Sequence, residues 1–163
     1  MRNDCIFSAD RRYRYTLIHR WDELLTPHPA RGIAWICLNP STADEHQLDP
    51  TLRRIRDFSA TWGYSYFVML NLFAWRATLP ADMRRAADPV GPENDRWIAH
   101  WAGQVDRVMV GWGEHGAHLE RHTAVLRLLD PAKTFCLQRN ASTQPKHPLY
   151  VAKATKPALF LAS

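Results

Sequence analysis

An uninterrupted apolar run, residues 33–38, stops abruptly at Asn39-Pro40-Ser41. A short apolar run bounded by a turn signal is typical of a buried strand. Such a strand needs covering elements on both sides, which favours a sheet packed between helices. In an open α/β sheet, ligands bind at the carboxyl ends of the strands. The run therefore predicts a core strand that delivers Asn39, Pro40 and Ser41 to a binding edge.

Strand and helix patterns alternate along the rest of the chain. Apolar runs predict three further core strands, at residues 66–73, 105–110 and 134–137. Apolar residues at helical spacing predict three helices, at residues 51–62, 93–102 and 115–129. This alternation predicts an α/β fold whose central, mostly parallel four-stranded sheet has helices on both faces.

The remaining segments complete a single domain that spans residues 1–163. Residues 12–21 alternate aromatic and polar side chains, which indicates a strand near a sheet edge. Residues 26–29 are rich in proline and predict a loop. Residues 39–50 are irregular, and their length suits an active-site loop better than a simple connector.

Composition and charge exclude several classes of function. The formal net charge of +5 is compatible with a polyanionic partner and does not require one. The three cysteines are far apart and form no C-x-x-C pair, which argues against a thiolate metal site. No apolar segment approaches the roughly 20 residues of a membrane span, and no signal peptide is evident. We expect a cytoplasmic protein that needs no metal or cofactor.

Three polar side chains follow predicted core elements. Asn39 can hold a water molecule or read a base edge, and it is equally typical of an Asn-Pro turn. The amide of Asn71 offers the donors and acceptor that match a pyrimidine edge, or it ties two loops together. His147, in a late loop, can donate to a developing anion.

Charged residues flank the long loop after the first core strand. Asp44 and Asp49 can activate water or stabilise a cation, although Asp49 also suits the start of the next helix. That helix carries Arg53 and Arg54, which can contact phosphates or form a solvated face.

Two further patterns predict no site. His115, His118 and His122 share one face of a predicted helix, but no carboxylate or cysteine partner stands at ligand spacing. The glycines at residues 111–116 lack the early strand–helix position and the acidic residue of a dinucleotide site.

Several motifs form an ordered set along the chain. They are Cys37-Leu38-Asn39-Pro40, Leu70-Asn71-Leu72, residues 75–80, residues 108–113 and His147-Pro148-Leu149. This set resembles the motif order of the uracil-DNA glycosylase superfamily. Cys37 replaces a glycine of that family, Leu149 replaces its final serine, and the cluster-binding cysteines of some branches have no counterpart. Residues 39–44, 49–51 and 88–92 also resemble a small bacterial domain family of unknown function.

The resemblance implies a DNA glycosylase, acting without a cofactor as a monomer, that hydrolyses the N-glycosidic bond of uracil or another damaged base flipped out of DNA. Asn39 would position the attacking water, Asn71 would read the base edge, and His147 would stabilise the leaving base. Asp44 or Asp49 would assist the water or the sugar cation. The other implied contacts are Pro40, Ser41 and either Phe73 or Trp75 for the base, and Arg53, Arg54, Arg76 and Lys146 for phosphates.

Two alternatives remain at the level of sequence. One is a module of the same fold that binds a base or nucleic acid without cleavage. The other is a hydrolase of small nucleotides or nucleosides, which the modest net charge favours.

Overall fold

The computed structural model describes residues 3–21 and 30–160, so the loop predicted at residues 26–29 lies outside the described residues. Its centre is a seven-stranded mixed sheet. The strands are β1 (Asp4–Phe7), β2 (Arg14–Arg20), β3 (Gly32–Cys37), β4 (Tyr66–Asn71), β5 (Val108–Val110), β6 (Thr134–Cys136) and β7 (Ala158–Leu159), in the spatial order β1-β2-β4-β3-β5-β6-β7.

The prediction of a four-stranded sheet is wrong, because the sheet of the described residues has seven strands. Strands β4, β3, β5 and β6 are mutually parallel, as the alternation predicted, but β1, β2 and β7 extend the sheet with antiparallel pairs. Strand β2 occupies the segment predicted as a strand. Strands β1 and β7 are short and partly exposed, so neither carries the apolar run that reveals a core strand.

The register brings the ends of the parallel strands to one edge. Strands β3 and β4 pair in step from Gly32 opposite Tyr66 to Cys37 opposite Asn71. Ile36 also pairs with Val110, near the end of β5. The segments that follow these three strands therefore emerge side by side.

Helices cover both faces of the sheet, as predicted. Helix α1 (Pro50–Thr61) packs on one face, where Leu52 and Ile55 meet Trp35 of the sheet. Helix α3 (Asn94–Gln104) and helix α4 (Arg121–Leu126) cover the other face, and a short α2 (Pro80–Arg85) stands before them in the chain. No helix among the described residues is both long and apolar enough to cross a membrane.

The helix predicted at residues 115–129 is wrong as a continuous element. A 3₁₀ segment, Glu114–Glu120, precedes α4, and the chain kinks between them. Leu119 and Glu120 both adopt left-handed backbone angles, with φ of 55° and 53°. Consequently His115, His118 and His122 do not share one face of a single helix.

A β-bulge interrupts the pairing of β1 with β2. Ile6 pairs with Thr16 while the next residue, Phe7, pairs with Arg14, which leaves Tyr15 as the extra residue. Leu17 packs in the core beneath α1, and strict alternation would place Arg14 on the opposite face. The bulge instead brings Arg14 to the α1 side of the sheet.

Candidate functional site

A cavity of about 730 Å³ opens at the carboxyl edge of the parallel strands. Its walls are the segments that follow β3, β4 and β5, the beginning of α1 and the segment around His147. Cavities of a few hundred Å³ at this edge are where α/β proteins bind small molecules. Of the residues predicted from the sequence, the cavity collects Asn39, Pro40, Ser41, Asp49, Lys146 and His147.

Asn39 connects the loops that follow the two longest parallel strands. Its side-chain Nδ2 donates to the carbonyl of Ala77 at 2.8 Å and to that of Pro40 at 3.1 Å. The backbone N–H of Ala77 in turn donates to the Pro40 carbonyl. Both amide hydrogens are used, so the Oδ1 acceptor is the atom that Asn39 can offer to a ligand.

His147 is held against the end of β5. Gly111 permits this contact, because a Cβ there would lie 2.9 Å from Cδ of Pro148. The Nδ1 of His147 accepts a hydrogen bond from the Leu149 backbone N–H at 3.2 Å, which places the proton of the neutral ring on Nε2. Burial lowers the pKa of His147, and the carboxylate of Asp49 partly opposes this shift. The ring is therefore a neutral donor at neutral pH.

Asp49 belongs both to the fold and to the cavity. Its Oδ1 accepts the backbone N–H of Leu52 at 2.9 Å and so caps the N-terminus of α1, whose first residue is Pro50. The carboxylate also lines the cavity and interacts electrostatically with His147. One oxygen thus fixes the helix, and the other is available to water or a ligand.

Arg14 lines the cavity, although no sequence pattern predicts it there. The side chain is only 1% exposed, and its Nη1 donates to the Ala43 carbonyl at 2.9 Å. Its Nε has no partner among the described residues. Burial lowers the pKa of Arg14 to about 10. In a strand that alternates strictly, Arg14 would be interpreted as a residue that faces solvent. Its position in the cavity follows from the bulge at Tyr15.

Asn71 and Phe73 do not line the cavity. Asn71 is 1% exposed and lies on β4 beside Cys37 of β3, and neither polar atom of its side chain has a partner among the described residues. Phe73 is fully buried in the core on the α3 side, with its ring centroid 5.6 Å from that of His118. Phe73 is therefore not placed to stack on a ligand in the cavity.

Three other predicted residues fix loops outside the cavity. Asp44 accepts the backbone N–H groups of His46 and Gln47 through Oδ1. Arg53 donates to the Leu48 carbonyl, and Arg54 donates to the Val151 carbonyl. These bonds give each side chain a structural role at its own position.

A second depression, which we call the basic groove, adjoins the cavity. It encloses about 410 Å³ and is lined by Arg11, Arg12 and Arg76 together with Trp75. Residues 41, 42, 77 and 78 line both spaces, so the two are continuous. Arg11 forms a bidentate pair with Glu45 at 2.8 and 2.9 Å. Arg12 makes a looser contact with Asp10 at 3.7 Å, and Arg76 donates to the Arg11 carbonyl, so these two are less tightly paired than Arg11. Arg76 was predicted as a phosphate contact, and Arg11 and Arg12 were not.

Further cavity residues come from the segment after β5. Trp112, Glu114 and His115 line the wall, and the indole N–H of Trp112 donates to Gln144 at 2.7 Å. Sequence patterns single out none of them for the cavity, because they sit on a turn and an irregular 3₁₀ segment. Among the residues that the structure describes, no group of three or more His, Cys, Asp or Glu side chains could hold a metal ion.

Comparison with known proteins places the chain in a family. Neither the curated proteins nor the solved structures include a match. The model of a family described as a protein of unknown function, DUF1643, matches residues 14–149. That range begins at Arg14 and includes Asn39, Asp49 and His147, and it confirms the expected likeness to a small domain family of unknown function. With most of its length matched, the chain belongs to the DUF1643 family.

Proposed function

We propose that the protein is a DNA glycosylase that hydrolyses the N-glycosidic bond of a damaged or modified base. One observation carries the proposal. Asn39, Asp49 and His147 are distant in the sequence, and all three line one cavity at the carboxyl edge of the parallel strands. The resemblance to the uracil-DNA glycosylase superfamily assigns roles in the same reaction to these positions.

The three side chains offer the groups that this hydrolysis needs. The bond between C1′ and the base nitrogen breaks with its electron pair going to the base, and a water oxygen bonds to C1′. The Asp49 carboxylate and the Oδ1 of Asn39 are acceptors for the hydrogens of that water. The Nε2–H of His147 donates to the oxygen on which the base develops negative charge.

The size of the site suits a base that is flipped out of the DNA double helix. A volume of about 730 Å³ lies within the range of nucleotide-sized ligands. Extruding a nucleotide costs stacking energy and requires a pocket that receives the base. The adjoining basic groove offers Arg12 and Arg76 to the phosphates of the strand.

The test is base release from single- and double-stranded oligonucleotides, each containing one uracil, hypoxanthine, mismatched thymine or modified pyrimidine. Wild type is compared with Asn39→Ala and His147→Ala. His100→Ala is the matched control, because His100 is exposed on α3 and lies outside the cavity.

Alkali-sensitive abasic sites that appear with wild type and His100→Ala, and disappear with His147→Ala, support a glycosylase and identify its base. Intact oligonucleotides after incubation with excess wild-type protein contradict the proposal. Thermal unfolding of each variant separates loss of activity from loss of folding.

A second candidate is a module that binds a base without cleaving it. Cys37 and Leu149 favour it, because both line the cavity at positions where the glycosylase motifs have glycine and serine. It predicts salt-dependent DNA binding without abasic sites. Turnover of free 2′-deoxynucleosides, with little DNA affinity, would instead support a nucleoside hydrolase.

A further inference from the structure

The wall of the cavity contains a buried cation without an ionic partner. Arg14 is 1% exposed and stands beside Cys37 and Met69. No salt bridge among the described residues involves it. Removing an unpaired charge from water is unfavourable, and protein interiors almost always compensate for it. The carboxylates of Asp44 and Asp49 interact with Arg14 electrostatically, but neither forms a salt bridge with it.

One side of the Arg14 guanidinium is hydrogen-bonded, and the other side has no partner among the described residues. Nη1 donates to the Ala43 carbonyl at 2.9 Å, whereas neither Nε nor Nη2 donates to any described residue. In a planar guanidinium the Nε–H and the neighbouring Nη2–H run parallel. The unpartnered side therefore matches a ligand that presents two adjacent acceptors.

The position of Arg14 depends on a local irregularity. The bulge at Tyr15 brings the side chain to the cavity and sends Tyr15 towards Gly91 on the other side of the strand. Bulges occur preferentially next to active sites, where they redirect a side chain. A bulge combined with a buried cation is unfavourable for folding, and departures of this kind concentrate at functional sites.

Base edges differ in how well they match two parallel donors. A 6-oxopurine presents O6 and N7 side by side, and both are acceptors. Adenine presents N7 beside an amino group, which is a donor. Uracil places a donor N–H next to its O4. The 6-oxopurine edge is thus the match for the unpartnered side of Arg14.

We propose that Arg14 is a specificity-determining residue that binds the O6 and N7 edge of a 6-oxopurine, a class in which hypoxanthine is one damaged base of DNA. The inference rests on the proposed function, which places a base in the cavity. A phosphate or carboxylate also presents two adjacent oxygen acceptors, so the test includes inorganic phosphate.

The test measures binding of 2′-deoxyinosine, 2′-deoxyadenosine, 2′-deoxyuridine and inorganic phosphate by calorimetry. Arg14→Met removes the charge and keeps the length, while Arg14→Lys keeps the charge and loses the paired donors. Arg20→Met is the matched control, because Arg20 lies on the same strand over the Tyr66 ring and outside the cavity.

Wild type and Arg20→Met are expected to bind 2′-deoxyinosine about 10- to 100-fold more tightly than 2′-deoxyadenosine. Both Arg14 variants are expected to lose this preference. Equal binding of the two nucleosides, a preference that survives in Arg14→Met, or tighter binding of phosphate than of 2′-deoxyinosine overturns the inference.

The outcomes separate this inference from the proposed function. An Arg14-dependent preference for 2′-deoxyinosine without base release from oligonucleotides upholds the inference and contradicts the glycosylase. Base release that is insensitive to Arg14→Lys, with no preference among purines, supports the glycosylase and contradicts the inference.

Thermal unfolding separates ligand binding from a purely structural role. Arg14→Met is expected to melt at or above the temperature of wild type, because it removes a buried charge that has no ionic partner. A lower melting temperature together with an unchanged preference for 2′-deoxyinosine would identify Arg14 as structural and overturn the inference.

Discussion

Three side chains that line the cavity each have one polar atom that bonds within the fold and a second polar atom that can contact a ligand. Asn39 uses Nδ2 to join two loops, His147 uses Nδ1 to accept a backbone N–H, and Asp49 uses Oδ1 to cap α1. Each side chain is oriented by one atom and offers a second one to a ligand. Substitutions that preserve the first atom and change the second can therefore separate stability from activity.

Asp49→Asn is such a substitution. Asparagine caps a helix as well as aspartate does, so we expect the free energy of unfolding to change by less than about 0.5 kcal/mol. Base release should fall by about 100-fold or more, because the acceptor for water loses its charge. Asp49→Ala is the control that loses the cap as well, at a cost of about 1 kcal/mol. Full base release by a folded Asp49→Asn protein would exclude the carboxylate from the chemistry.

His147 gives a second prediction, on pH dependence. Burial lowers its pKa in the folded protein, so the unfolded chain binds more protons in mildly acidic solution. The stability contributed by the neutral ring is complete above the unfolded pKa of about 6.5 and is lost as the pH falls through the folded pKa. Wild type should lose more unfolding free energy between about pH 7 and pH 5 than His147→Gln does.

Urea unfolding of both proteins at the two pH values checks this expectation. His19, whose pKa burial also lowers, is present in both proteins, and its contribution therefore cancels in the comparison. An identical pH dependence for wild type and His147→Gln would contradict a buried, neutral His147.

Among the elements, the junction before α4 is where two consecutive non-glycine residues of the described chain have positive φ angles. Leu119 and Glu120 are consecutive residues with left-handed angles, a conformation that is unfavourable for residues with a Cβ. We expect Glu120→Gly to raise the free energy of unfolding by up to about 1 kcal/mol. Ala117→Gly, at a residue of the same 3₁₀ segment without a positive φ, should lower it.

Chemical denaturation of the two glycine variants measures the difference. If Glu120→Gly were as destabilising as Ala117→Gly, the left-handed angle at Glu120 would not be a source of strain.

These elements also show what the sequence can predict. Strands β3 and β4 and helix α1 were found because their apolar residues are continuous or helically spaced. The break at Leu119 and Glu120 is not visible in the sequence, because neither of these two residues is a glycine, the usual signal for a left-handed angle. Asn39 and Asp49 were found because they border core elements, whereas Arg14 was missed because the register of β1 against β2 is not visible in β2 alone.

On the scale of the whole molecule, the sheet separates two cores and leaves one edge for binding. The cavity and the basic groove share residues 41, 42, 77 and 78, so a DNA strand bound in the groove, as proposed, would reach the cavity. The other predicted site residues lie elsewhere: Asp44 in a loop, Arg53 and Arg54 on α1, Asn71 and Phe73 in the core, and Arg76 in the basic groove. Sequence patterns locate the elements but do not fix which surface each polar side chain faces.

The groove gives a prediction about DNA binding. In the double variant Arg12→Gln and Arg76→Gln, the slope of log affinity against log salt should become shallower by about 1 to 2, since each lost phosphate contact removes about one released ion. The control is Arg96→Gln with Arg127→Gln, which are exposed and lie outside the groove. Filter binding over a range of salt concentrations measures both, and equal slopes would exclude the groove as a DNA path.

The bulge at Tyr15 has a consequence for how such a site can arise. Beyond the bulge, Leu17 keeps its place in the core and β2 keeps its register with β4, as Leu17 opposite Met69 shows. The insertion of a single residue into β2, next to the parallel strands, is therefore sufficient to bring a positive charge into the cavity while Leu17 keeps its place in the core. With the proposed role of Arg14, a one-residue insertion or deletion in β2 would change ligand preference as readily as a substitution.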